Sequence, residues 1–165
     1  MMKSELKSTV KVKDILIVEV RDKYGNVKYR KVVEGNSLTN AGLAELAKLC
    51  GSGLGGTAFG YIAIGTGGDT AFDPSQTALS NEVKRKSATV STDTTNVTDD
   101  TTVFQAEFSS EDGLSGTQTI NEVGIFNSDT GGTMLNRFDQ NSINVTLNWD
   151  AGDKLDLTIK VVFST

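Results

Sequence analysis

The 165 residues carry 16 Lys and Arg against 21 Asp and Glu, a formal net charge of -5, with no histidine and a single cysteine, Cys50. That length suits one domain, and a 37% apolar content with abundant Gly, Ser, Thr, Asn and Asp favours short strands joined by turns over a helix bundle. Cys50 cannot form an internal disulfide, no apolar run approaches the ~18 residues of a membrane-spanning helix, and Met1–Lys7 has no signal-peptide core.

In chain order, Val12, Leu16, Val18 and Val20 alternate, broken only at Asp14, and Tyr24-Gly25-Asn26 supplies a turn before Val27, Tyr29, Lys31 and Val33. This predicts a basic hairpin, or arm, over residues 8–34. Thr39 or Asn40 can cap a helix over 40–50, whose apolar stripe is Leu43, Leu46, Ala47 and Cys50 and which Gly51 stops. A glycine-rich loop, Gly51–Gly60, leads into Tyr61-Ile62-Ala63-Ile64, short and apolar enough for a strand buried on both faces. Pro74 marks a loop, Val83 to Val90 is extended, and Phe104, Ala106 and Phe108 alternate with Gln105 and Glu107 beyond a polar tip at 92–102. Thr119–Phe126 and Met134–Phe138 flank a hairpin loop over 127–132. Finally Ile143, Val145, Leu147 and Trp149 alternate, Ala151-Gly152-Asp153 turns, and Leu155 to Phe163 alternates again, which predicts that these last two arms pair with one another. The expected fold is all-β: one antiparallel two-sheet β-sandwich over 1–165, with the jelly roll as one variant and one short helix.

Few constellations point to chemistry. Without histidine, the usual general base, the Ser-His and Cys-His nucleophile systems and the commonest transition-metal ligand are all missing. Cys50 reads as a small buried hydrophobe. Gly65-Thr66-Gly67-Gly68 follows a strand, but Asp69, Asp73 and Pro74 come next instead of the helix a phosphate-binding turn requires. Asp93, Asp99 and Asp100 lack the ligand order of a Ca²⁺ loop, and Glu111-Asp112 or Asp150 with Asp153 are neighbours at turns, not carboxyls held across a cleft. Asn96-Val97-Thr98 and Asn144-Val145-Thr146 match a glycosylation sequon by composition; Trp149 and Tyr61 are a candidate sugar-stacking platform, but Trp149 shares a face with aliphatic residues, as a core tryptophan does. The expectation is no catalytic residue, no cofactor and no metal.

Charge is uneven. Residues 1–35 hold nine Lys and Arg against five Asp and Glu, the remainder seven against sixteen. The acidic body argues against nucleic acid as a ligand. Lys11, Lys13, Lys28, Arg30 and Lys31 are the candidate partner-binding residues, suited to an acidic neighbour. Glu122, beside Val123 and Ile125, invites an arginine from a neighbouring strand, Arg85 or Arg137, as a register-setting pair.

Residues 36–43 (Asn-Ser-Leu-Thr-Asn-Ala-Gly-Leu) and 59–67 (Phe-Gly-Tyr-Ile-Ala-Ile-Gly-Thr-Gly) begin an ordered series. It continues through Leu79-Ser80-Asn81-Glu82 with Arg85, Ile120-Asn121-Glu122-Val123-Gly124-Ile125-Phe126-Asn127, Gly132-Thr133-Met134-Leu135-Asn136-Arg137 and Gly152-Asp153-Lys154-Leu155. Over about residues 36–163 the chain resembles small virion structural proteins of tailed phages, of tail-appendage or head-surface type. The resemblance implies a β-rich, non-catalytic virion component assembled in the host cytoplasm, with a major capsid or tail protein and further copies of itself as partners. A small chain ending just after its last strand suits a capsid decoration protein; the alternatives are a tail or baseplate appendage and a host-receptor or carbohydrate-binding module. Strand edges needing cover lead to the expectation of a homotrimer, with neither nucleic acid nor membrane bound.

Overall fold

The structure, a computed structural model, describes residues 9–165. Met1–Ser8, where no signal-peptide core is read and where the basic hairpin begins, lie outside the described residues. β1 (Lys11–Arg21) and β2 (Val27–Gly35) form the expected hairpin, turned by the Asp22 carboxylate, which accepts the N–H groups of Tyr24 and Asn26 at 2.9 Å each. After α1 (Asn40–Leu49) come β3 (Tyr61–Gly65), β4 (Glu82–Ser87), β5 (Thr89–Asp93) and β6 (Thr101–Phe108). β7 (Thr117–Ile120), β8 (Glu122–Phe126), β9 (Met134–Phe138), β10 (Val145–Asn148) and β11 (Lys154–Ser164) complete the chain.

Every strand pairing is antiparallel. One sheet has the order β2-β1-β11-β6-β5, a second β4-β3-β8-β9, and β10 pairs with β7 alone. The central ladder of the first sheet joins β1 to β11 over their whole lengths, from Lys11 opposite Ser164 to Arg21 opposite Lys154. Leu16, Val18 and Val20 from β1 and Leu155, Leu157, Ile159 and Val161 from β11 meet Ile62, Ile64, Val123 and Ile125 of the second sheet in one shared core. Since alternate residues point to opposite faces, this is the side on which the two sheets face each other. The basic hairpin therefore belongs to the sandwich. The chain crosses between the sheets at Ala88, so residues 82–93 form an edge of each in turn.

Three sequence expectations are corrected. The two final arms do not pair with each other: β10 joins β7, and β11 lies between β1 and β6. The cause is the one-turn 3-10 helix Trp149–Ala151, capped by Asn148 and followed by Gly152 at φ 88°, which turns the chain from one layer to the other. The helix also docks on a different face. Gly42 and Glu45 are buried while Leu43, Ala47 and Cys50 are exposed, because Gly42 lies directly on β9: a Cβ there would sit 2.5 Å from the Leu135 carbonyl oxygen. Cys50 is thus an exposed free thiol at the helix end, not a buried hydrophobe. Thr39 is the cap, its hydroxyl accepting the Gly42 N–H at 2.9 Å and donating to the Met134 carbonyl at 2.5 Å.

Asp14, the interruption in the β1 alternation, is fully buried. Its carboxylate accepts the Ser37 N–H at 3.1 Å and the Asn136 side-chain amide at 3.0 Å, linking the first sheet to the second. Burial raises its pKa despite those bonds. A raised folded-state value means that stability is lost as pH rises through it and regained as pH falls toward the ordinary value of 3.8. Asp22, Glu45, Asp73, Asp93, Asp100 and Asp153 are lowered by hydrogen bonds or lysines, so their stabilisation is lost only at more acid pH. Thermal melts in a pH series from 7 to about 2 are therefore expected to rise first and then fall. Asp14→Asn should reduce the rising part, leaving the share of Asp156, whose carboxyl is also raised by burial and by Glu107, and should leave the acid fall unchanged.

Candidate functional site

The densest polar cluster lies on the outer face of the second sheet, under a strap formed by residues 66–81. Leu79 anchors the strap's apolar side in a small cluster with Ala63, Phe126 and Met134. Beside it, Glu122 on β8 and Arg137 on β9 form an ion pair with both side chains at 0% exposure, Nη2 to Oε2 2.9 Å and Nε to Oε2 3.0 Å. Of the two arginines expected for Glu122, Arg137 is the partner, and the pair is buried.

The carboxylate also collects backbone donors from the strap: Oε1 accepts from Asn81 at 2.7 Å and Gly67 at 3.1 Å, and Oε2 from Ser80 at 2.9 Å. The guanidinium reaches the same segment from below. Nη1 donates to the Thr70 carbonyl (2.9 Å) and Gln76 Oε1 (3.3 Å), and Nη2 to the Gly67 carbonyl and Ser80 Oγ, both at 3.2 Å. All five guanidinium donors thus have acceptors. Among the described residues no buried side-chain polar atom lacks a partner.

Glycines allow the close approach. A Cβ at Gly65 would lie 2.4 Å from Glu122 Oε1, one at Gly67 2.6 Å from the Asn81 nitrogen, and one at Gly68 1.6 Å from the Asn121 carbonyl oxygen. Gly68 donates instead to Asn121 Oδ1 at 2.8 Å. The Gly65–Gly68 turn is therefore filled by its own protein. Chemically the arrangement holds a strap on a sheet, with its carboxylate enclosed and engaged.

Arg85 has a separate task. Its guanidinium carbon stacks 3.6 Å from the Phe126 ring centroid, Nε and Nη2 hold the Glu82 carboxylate at 2.9 and 2.7 Å, and Nη1 donates to the Ser128 and Gly131 carbonyls. It fastens the β8–β9 loop.

The five candidate partner-binding residues do not form one patch. Lys13 pairs with Glu34 at 3.5 Å and Arg30 with Glu19 at 3.2 Å on the solvent face of the first sheet. Lys28 holds Asp153 at 2.7 Å, and Lys31, opposite Val18, reaches the Asn141 carbonyl at 3.1 Å. Lys11 is exposed. Four of the five are thus engaged within the chain. Trp149 is fully buried with its indole N–H on Gln118 at 2.9 Å, so it presents no stacking surface. Neither the Ser80 and Asn81 donors nor the Asp14–Asn136 link follows from the sequence pattern; the one visible signal was a carboxylate inside an apolar alternation.

Among the described residues no group of three or more acidic or thiol side chains is placed to hold a metal, and no helix is long and apolar enough to cross a membrane. Over the described residues the fold is an all-β antiparallel sandwich with a single α-helix. No family model, curated protein or solved structure matches the chain.

Removing one partner of a buried pair leaves an uncompensated charge. Arg137→Met is therefore expected to cost about 3–5 kcal/mol in urea unfolding. Glu122→Gln with Arg137→Met should cost less than the two single changes summed, by about 0.5–3 kcal/mol. Gly65→Val and Gly67→Val, which drive a branched side chain into the same carboxylate, are expected to leave little folded protein by circular dichroism.

Proposed function

We propose that this chain is a structural component of a virus particle of the tailed-phage kind, placed on the outer surface of the capsid as a decoration protein. One observation carries the reading. The landmarks behind the resemblance that lie between residues 38 and 137, each short and scattered over about a hundred residues, converge in space. Leu38 bridges to Asn136, Gly42 rests on Leu135, and Gly65, Gly67, Ser80 and Asn81 surround Glu122 and Arg137. Motifs that build one interior belong to an architecture, which supports kinship of structure over coincidence of composition.

Two further features suit assembly. The charged groups of Glu122 and Arg137 are turned inward, and open strand edges remain at β2 on one side and at β4 and β5 elsewhere. Such edges are natural joints to copies of the chain or to a major capsid or tail protein. A tail or baseplate position would use the same edges. The buried Trp149 weighs against the carbohydrate-binding alternative built on that residue.

The test is to purify particles from the host that carries the gene, quantify this chain by mass spectrometry and locate it by cryo-electron microscopy. The expected result is a stoichiometric protein in repeated copies on the shell surface. Density confined to the tail would replace the capsid position by the tail one, and absence of the chain from purified particles would overturn the proposal.

A further inference from the structure

Among the described residues β2 has a neighbour on one side only, β1. It is nine residues long, contains no proline, and its pairing with β1 is irregular only at the Val20–Arg21 end. Val27 and Val32 are 49% and 48% exposed. Edges of this kind accept another strand unless charges guard them. Here two cations are turned to their own chain, Lys28 to Asp153 and Lys31 to the Asn141 carbonyl.

We propose that β2 pairs antiparallel with β2 of a second copy of this chain, around a two-fold axis at Val32, joining two five-stranded sheets edge to edge. The register follows from backbone geometry and charge. In an antiparallel pair only every second residue of an edge strand has its N–H and C=O free to face outward, so outward residues must meet outward residues. A two-fold axis lying on a residue satisfies this; one lying between residues does not. Centred on Arg30 or Lys31, the pairing would set that cation against itself. Centred on Val33, it would set Val32 against Glu34.

Centred on Val32, it places Arg30 opposite Glu34 of the partner subunit twice, with the two valines between them. Arg30 and Glu34 share the solvent face, where they already contact Glu19 and Lys13 at 3.2 and 3.5 Å. Pairing would join these two ion pairs into one row across the junction. Cross-strand pairs of opposite charge stabilise such a register, and like charges oppose it. The two-fold axis takes the place of the three-fold symmetry expected from the presence of edges alone, and the proposal does not depend on the virion reading.

The test combines sedimentation with disulfide trapping on the full chain in a Cys50→Ser background. Opposed residues of an antiparallel pair have Cα atoms about 4.5–5.5 Å apart, within disulfide reach. Val32→Cys should therefore cross-link to itself at least about tenfold faster than Lys31→Cys or Val33→Cys, which face one another and not themselves. Arg30→Glu and Glu34→Arg should each weaken dimerisation by about tenfold or more, because two attractive pairs become repulsive. Their equimolar mixture should recover dimer, since opposite charges then meet at both contacts of the mixed pair. Circular dichroism checks that each variant is folded, and cross-linking decides if either charge variant is not. A chain that remains monomeric up to about 1 mM, equal cross-linking at positions 31, 32 and 33, or no recovery in a folded mixture would overturn the proposal.

Discussion

The contact between the Glu122 carboxylate and the Arg137 guanidinium determines how the outer layer of this protein is laid down. Taking both charges out of water costs several kcal/mol per ion, and mutual attraction offsets this only when the remaining hydrogen-bonding positions are also filled. Here they are filled by the strap, through the backbone of Gly67, Ser80 and Asn81 and the carbonyls of Gly67 and Thr70. A strap displaced by one residue would leave a buried charge short of partners. The ion pair therefore acts chiefly as a register device, selecting one path for a segment with little regular structure of its own.

The inner layer is specified differently. Its large core is non-directional, and directional contacts are few: the link from Asp14 to Asn136 and the chain crossing at Ala88 are two that bind one sheet to the other. Asn136 joins these levels, because it also accepts the Ile125 N–H at 3.1 Å while its neighbour Arg137 faces the strap. Two successive residues of β9 thus secure opposite faces of the same sheet, as strand alternation requires. With so much polar capacity used inside, the strand edges are the surfaces that offer backbone groups to a neighbour.

Much of this was legible in the sequence. Period-two alternation located β1, β2 and β11, the 127–132 loop located the β8–β9 hairpin, and the short apolar run at 61–64 is buried on both faces from Ile62 onward, with Tyr61 half-buried. Local pattern failed where tertiary geometry decides. Alternation on both sides of Ala151-Gly152-Asp153 cannot distinguish a hairpin from a change of layer, and only the Trp149–Ala151 turn makes that choice. The helix misled because its most buried contact is made by Gly42, a residue with no side chain to enter an amphipathic count. At the candidate site, the glutamate and its two possible arginines were readable. The strap was not, since backbone N–H groups carry no sequence signature.

The ladder between β1 and β11 bears on how the protein carries force. Lys11 stands opposite Ser164, so the two outermost ends of these neighbouring strands emerge at the same end of the sheet. Tension drawn between them would act across the strands and open the hydrogen bonds in sequence, like a zipper, instead of loading them together in shear. Tension entering at the Arg21–Lys154 end and leaving at the other would run along the strands and meet the whole ladder at once. A domain of this construction resists pulling along its strands far better than prising at that one corner.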